Sequence, residues 1–241
     1  MNSIILCEGS TDAILLSYYL NKVSGWEFCK KAPEHLNIKQ SNLNQSINWY
    51  KRDDDRLLIC GVGGKDKMAS FFSEKILSPM VKSNAFSKIV LILDRDDKSM
   101  ESIEAHASHL FNPIVAEMKN DTWIDNTYVD TFGIQKTVSS LLIAIPTERQ
   151  GALETLMLEA ISEDPYDAVI VKDVGVFVDE IQKSASRYIP SNRMKLKAHL
   201  GVTWAVQYPD KVFTRINDQI QSVSWEKYEV LRNCFRQLES L

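Results

Sequence analysis

Three carboxylates carry the spacing from which chemistry could be built. Glu8 closes the short apolar run Ser3-Ile4-Ile5-Leu6-Cys7, and Asp94 and Asp96 follow the run Ile89-Val90-Leu91-Ile92-Leu93. One acid at the end of a buried strand is unremarkable, because loops are polar. Three on neighbouring strand ends form a like-charge cluster that costs stability unless cations occupy it. Asp94 and Asp96, two apart at a strand end, can turn both carboxylates to one side and share a hard cation with Glu8. An oxygen-only donor set selects magnesium or manganese over zinc. Asp12, in the first turn of the helix after Glu8, either faces the same pocket as part of a second metal site or is an N-terminal acid favoured by the helix dipole. Lys65 follows Gly63-Gly64 and could set an ammonium against a phosphate while the glycines let the backbone approach; the plainer alternative is a solvated lysine at a helix start. The element is not a P-loop, since its glycine spacing is wrong and no Ser or Thr follows the lysine.

The elements that would position these groups alternate. A strand to Cys7, a tight turn at Glu8-Gly9 and a helix over Thr11 to Leu20 with Ser10 as N-cap form the first unit. Leu57 to Val62 and a helix over Lys65 to Leu77 form the second, and the third starts at Lys88 and continues into a helix over about Ser99 to Leu110. Its continuous β-branched and leucine run marks a strand buried on both faces of a parallel sheet. Leu141 to Pro146 makes a fourth strand. The polar stretch 25–56, ending in Lys51-Arg52-Asp53-Asp54-Asp55-Arg56, reads as an insertion or long loop with Asp53 to Asp55 in solvent, and 114–132 is poorly patterned. The fold class is therefore α/β over residues 1–150: an open, mainly parallel sheet flanked by helices, with right-handed crossovers. Residues 151–241 read as a helical C-terminal extension packed on it, with apolar residues at helical spacing through Ile170, Val174 and Val178 and again through Trp225, Leu231 and Leu238.

With 241 residues, 44% hydrophobic and 25% charged, the chain has the balance of a globular protein. A net charge of −4 argues against a protein whose main work is wrapping DNA electrostatically, but leaves room for one that meets nucleic acid at a metal-filled cleft. No run approaches the roughly 20 apolar residues of a membrane span, and no leader precedes Ile4, so a soluble, cytoplasmic protein is expected. Cys7, Cys29, Cys60 and Cys234 are far apart and read as reduced and partly buried. His35, His106, His109 and His199 are dispersed and read as structural. Trp204, Tyr208, Phe213 and Trp225 could supply a homodimer surface, but core positions suit them better.

Ile4-Ile-Leu-Cys-Glu8-Gly9-Ser-Thr-Asp12, followed some 80 residues later by Ile89-Val-Leu-Ile-Leu-Asp94-Arg-Asp96, resembles the TOPRIM domain of primases, topoisomerases, OLD-type nucleases and a ribosomal-RNA maturation nuclease. Within that group the Glu8-Gly9 and Gly63-Gly64-Lys65 elements look most like the nuclease half of OLD-type enzymes and the small stand-alone TOPRIM proteins. The resemblance implies a Mg²⁺- or Mn²⁺-dependent nuclease with two ions about 4 Å apart, one activating water and one stabilising the leaving oxygen. It makes Glu8, Asp94 and Asp96 the metal-holding acids, with Glu8 alternatively a general acid or base. Glu154, and less readily Glu148, become outer metal ligands, helix-start capping being the plain alternative for both. Lys195 and Lys197 could form a basic lip for the nucleic-acid backbone, a catalytic lysine or only a solvated helix face. The implied partners are DNA or RNA and an ATPase supplied by a separate chain, in a setting of phage defence or repair. A non-catalytic TOPRIM module that binds nucleic acid or such an ATPase is the alternative. A haloacid-dehalogenase-type phosphatase would carry its DxD on the first strand, and a phospho-receiver its acidic pair there; both fit less well.

Overall fold

The computed structural model describes the chain except for His35, Asn37, Val212 and Phe213, and of Ile216 only the backbone. The readings of His35 and Phe213 thus lie outside the described residues. Seven strands, β1 (Asn2–Cys7), β2 (Glu27–Cys29), β3 (Ser46–Arg52), β4 (Asp55–Gly61), β5 (Lys88–Asp94), β6 (Ile124–Val129) and β7 (Gln135–Ile145), form one sheet in the order β2-β3-β4-β1-β5-β7-β6. The inner four are parallel, with Ile4 opposite both Leu58 and Ile89 and Asp94 opposite Ile145. Antiparallel β2–β3 and β6 finish the two edges.

Both faces of the inner strands are covered, which is why Ile4, Ile5 and Leu6 are all fully buried and the apolar runs do not alternate. One face (Ile5, Cys7, Ile59, Val90, Ile143) packs against α1 (Ser10–Ser24) and helices from the C-terminal part of the chain. The other (Ile4, Leu6, Leu58, Leu91, Leu142) packs against α2 (Met68–Phe71), the π turn Phe72–Ile76, α3 (Leu77–Ser83) and α4 (Met100–Leu110). The π turn has a local cause. Pro79 has no N–H for the Lys75 carbonyl and its ring crowds that oxygen, so the backbone widens just before it.

After β7 come α5 (Leu153–Ile161), α6 (Pro165–Ser184), α7 (Asn192–Gln207), α8 (Ile216–Ser222) and α9 (Glu229–Phe235). Leu156, Trp204, Ile220, Trp225, Phe235 and Leu238 join α1 in a single core cluster. The helical residues after 151 therefore complete the sheet's second face, and Trp204 and Trp225 are core residues. Helices α6 and α7 form a satellite pair around Val174, Val178 and Ile189.

Of the two readings of 25–56, the long loop is corrected by β2 and β3, an antiparallel pair that widens the sheet between α1 and β4. The signal was weak because β3 is covered only in part on each face, Trp49 entering one core cluster and Tyr50 the other as its only buried residues. The charge run is a tight hairpin with Asp53 at φ 51°; Asp53 and Asp54 are in solvent, whereas Asp55 accepts from the N-terminal ammonium at 2.8 Å. The poorly patterned 114–132 holds edge strand β6, and β7 begins at Gln135, six residues before the predicted fourth strand, because its polar first half pairs with that edge. Among the described residues no helix is long and apolar enough to cross a membrane.

Candidate metal centre at the strand ends

The carboxyl ends of adjacent parallel strands β1 and β5 bring Glu8 and Asp94 together. Glu8 is 3% exposed and Asp94 6%. The Asp94 backbone N–H donates to Glu8 Oε1 at 3.0 Å, and the Leu153 N–H, at the start of α5, donates to Asp94 Oδ1 at 2.9 Å. The Gly9 N–H donates to Asp12 Oδ2 at 2.9 Å. Asp12 therefore caps its helix and also lies close enough to Glu8 and Glu154 for their charges to add to the rise in its pKa. Asp96 is half-buried and sits in the left-handed region at φ 52°. It is held there by a backbone pair with Gly151, the Asp96 N–H donating to Gly151 O at 2.6 Å and the Gly151 N–H to Asp96 O at 2.9 Å.

Close backbone approach makes this geometry. A Cβ on Gly61, at the end of β4, would stand 2.4 Å from the Gly9 carbonyl oxygen, so only glycine lets the turn after β1 lie against β4. A Cβ on Gly151 would meet Thr155 Oγ1 at 2.5 Å, and its φ of 149° is one that L side chains rarely adopt. The N–H groups of Gly63 and Gly64 both donate to the Glu8 carbonyl, at 2.9 and 2.8 Å. They brace the end of β1, so these two amides are engaged within the fold.

Three cations face the acids. Lys65 Nζ lies 3.0 Å from Asp96 Oδ2 and 3.8 Å from Glu8 Oε1, and also donates to the Asp94 carbonyl at 3.0 Å. Arg193, on α7, stands 3.9 Å from Glu8 Oε2. Lys197, one turn on, donates to Glu154 Oε1 at 2.7 Å, and Glu154 is itself buried in the first turn of α5. The predicted acids Glu8, Asp12, Asp94, Asp96 and Glu154 therefore meet Lys65 and Lys197 in one place. Lys195 does not join them, because it projects elsewhere on α7 and pairs with Asp179 on α6. Glu148 is exposed and lines a separate cavity of about 840 Å³ with Arg149, Glu159 and Arg236. The helical spacing that puts 193 and 197 on one face was available in the sequence; the role of Arg193 was not drawn from it.

Among the described residues, five carboxyls face three cations, which leaves the site short of positive charge. Burial pushes the Asp94 carboxyl up to about 8, with Glu8 and Asp12 adding to it, and pushes Asp12 up to about 6, with Glu8 adding. Burial also raises Glu8, against the opposing pull of Lys65, the Asp94 N–H and Arg193. Among the described residues no three His, Cys, Asp or Glu side chains stand together as a ready-made metal cage. The donor chemistry nevertheless suits a hard cation. Every acid is oxygen-donating, and a hydrogen bond or ion pair anchors one oxygen of Asp12, Asp94 and Asp96 while the other accepts no hydrogen bond among the described residues.

The remaining predicted residues have ordinary places. His199 bonds the Val171 carbonyl at 2.7 Å, and His106 and His109 lie half-buried and exposed on α4. All four cysteines are free, with Cys7, Cys60 and Cys234 buried and Cys29 partly so.

The fold and site define an α/β protein with a buried, under-neutralised carboxylate cluster outside the carboxyl ends of its parallel strands, where open sheets of this class bind ligands. Residues 2–240 match the family model described as protein of unknown function (DUF3226), and the chain belongs to that family. Among solved structures, a hypothetical protein from Pyrococcus horikoshii OT3 is similar at 14% identity, over 98% of this chain and 99% of that one, with a TM-score of 0.47. No curated protein matches the sequence.

Proposed function

We propose that this chain is a Mg²⁺- or Mn²⁺-dependent nuclease of the TOPRIM type, acting on DNA or RNA. The observation that carries the reading is the convergence of Glu8, Asp12, Asp94 and Asp96 at two adjacent parallel strand ends, where burial, with the neighbouring carboxylates adding to it, raises the pKa values of Glu8, Asp12 and Asp94. Asp94 and Glu8 would hold the ion, and Asp12, Asp96 and Glu154 would complete the donor set. A divalent ion there would polarise a phosphodiester and lower the pKa of a bound water. The protein's own groups keep the acids oriented: the Leu153, Asp94 and Gly9 amides fix one oxygen each of Asp94, Glu8 and Asp12. Lys65 and Arg193, which stand against Glu8 and Asp96, are the cations that would turn toward a phosphate oxygen, as a point charge and a planar fork respectively.

A second reading rests on the same ion pairs. Lys65, Arg193 and Lys197 partly neutralise the acids without metal, as a non-catalytic module that binds nucleic acid or a separate ATPase would require. The two part on one assay. Plasmid DNA, single-stranded DNA and total RNA are incubated with Mg²⁺ or Mn²⁺ and either wild type or Asp94→Asn/Asp96→Asn. Metal-dependent cutting lost in the variant supports the nuclease. No cutting of any substrate, with nucleic-acid or partner binding unchanged in the variant, supports the module.

A further inference from the structure

A second cavity, of about 410 Å³, opens along the outer side of α1 where β3 and β2 form the sheet edge. Its volume falls in the range of ~300–1,000 Å³ typical of small-molecule sites. Its lining is aromatic and amide-bearing, and none of the described residues lining it is charged. Tyr18 and Phe28 are 36% and 56% exposed, and Phe28 meets Tyr50 edge-on with ring centroids 6.0 Å apart. Trp26, 1% exposed, also lines the cavity, and its indole N–H is buried without a hydrogen-bond partner among the described residues. One amide N–H each of Asn21 and Asn48 donates to the Trp26 carbonyl (2.9 Å) and the Ser46 hydroxyl (3.1 Å), which leaves their carbonyl oxygens as acceptors.

We propose that this cavity binds an unpaired nucleobase of a single strand whose backbone reaches the carboxylate site. Exposed rings offer a stacking surface that any base can use, while the amide oxygens and the indole N–H present acceptors and a donor for a base edge. The absence of lysine and arginine from the lining suits a base and not a phosphate. Position along α1 argues for continuity: Asp12 lies in its first turn and Asn21 nine residues on, a separation of ~13 Å along the axis at 1.5 Å per residue. Ile14, the first α1 residue to line the cavity, lies two residues and about 200° round the helix from Asp12, so the cavity opens on the other side of α1 and a strand would pass from it to the acids around the helix start. The proposal rests on the nuclease reading for the strand's destination, but base binding can be measured without cleavage.

The test uses the full chain carrying Asp94→Asn, in EDTA, titrated with a fluorescein-labelled single-stranded DNA hexamer and with the same sequence as a duplex. Phe28→Ala and Asn48→Ala are added singly; Phe28 is exposed enough for its truncation to leave folding intact. The expected result is preference for the single strand, with affinity lowered roughly five- to hundredfold by Phe28→Ala, the range for losing one base–aromatic stack. Affinity within twofold of the parent in both variants overturns the proposal, as does failure of any single strand to saturate. A shift from dimer to monomer on sedimentation, with unchanged DNA affinity, would make the cavity a self-interface and also overturn it. Cleavage by the wild type that ignores Phe28→Ala leaves the nuclease reading standing and removes this one. Base binding without cleavage does the reverse.

Discussion

Replacing Asp94 by Asn should stabilise the metal-free protein at alkaline pH. The Asp94 carboxyl is buried beside Glu8 and Asp12, and its pKa is pushed from 3.8 up to about 8. In the unfolded chain the group ionises near its ordinary value, so folding binds a proton wherever the pH lies between the two. Stability from this group is complete below pH ~4 and is lost as pH rises towards 8, at about 1.4 kcal/mol per pH unit. The full loss is on the order of 4–6 kcal/mol, less whatever the coupled carboxyls Glu8 and Asp12 recover by sharing the protons. Asn cannot ionise and keeps a carbonyl oxygen for the Leu153 N–H, so it escapes most of that loss. Urea unfolding in EDTA at pH 5, 6.5 and 8 measures the difference. The variant should gain on wild type by at least ~2 kcal/mol between pH 5 and 8. A variant less stable than wild type at pH 8, or a difference flat with pH, would refute the argument that burial beside Glu8 and Asp12 penalises the ionised Asp94.

Other substitutions probe the supports. Gly61→Ala, which forces a Cβ to 2.4 Å from a backbone oxygen, should cost more than ~3 kcal/mol by thermal melting. Gly25→Ala, at φ 70° with open space around it, should cost only ~1–2. Lys197→Met should cost ~1–3 kcal/mol because it strands the buried Glu154, whereas Lys195→Met, whose partner Asp179 is half-exposed, should stay within ~1. Lys65→Met should lower metal-free stability more at pH 8 than at pH 5, when more of the facing carboxyls are ionised; an equal loss at both would assign Lys65 a packing role only.

The inner sheet was legible because strands buried on both faces leave long apolar runs, and those of β1 and β5 end in the acids themselves. Edge strands β2 and β6 and the neighbouring β3 were not legible, because a strand only partly covered on its faces can carry Asn, Ser, Lys and Thr without loss. Strand-end position sufficed to bring Glu8, Asp94 and Asp96 together. Arg193 and the Lys197–Glu154 pair depend on α7 and α5 folding back over the sheet, a tertiary event with no local signal beyond the four-residue spacing of 193 and 197. The difference between Lys195 and Lys197 has the same origin, since two residues on a helix face different neighbours. Gly61 gave no sign of its importance, because its constraint comes from Gly9, far away in sequence.

The most direct measurement is a crystal of the wild-type chain soaked in Mn²⁺, with the anomalous difference map read at the ends of β1 and β5. One or two peaks within ~2.3 Å of carboxylate oxygens of Glu8 and Asp94, and none there in crystals of Asp94→Asn/Asp96→Asn, are the predicted result. A saturated soak that leaves the cluster empty while Lys65 and Arg193 stay on the carboxylates would contradict it.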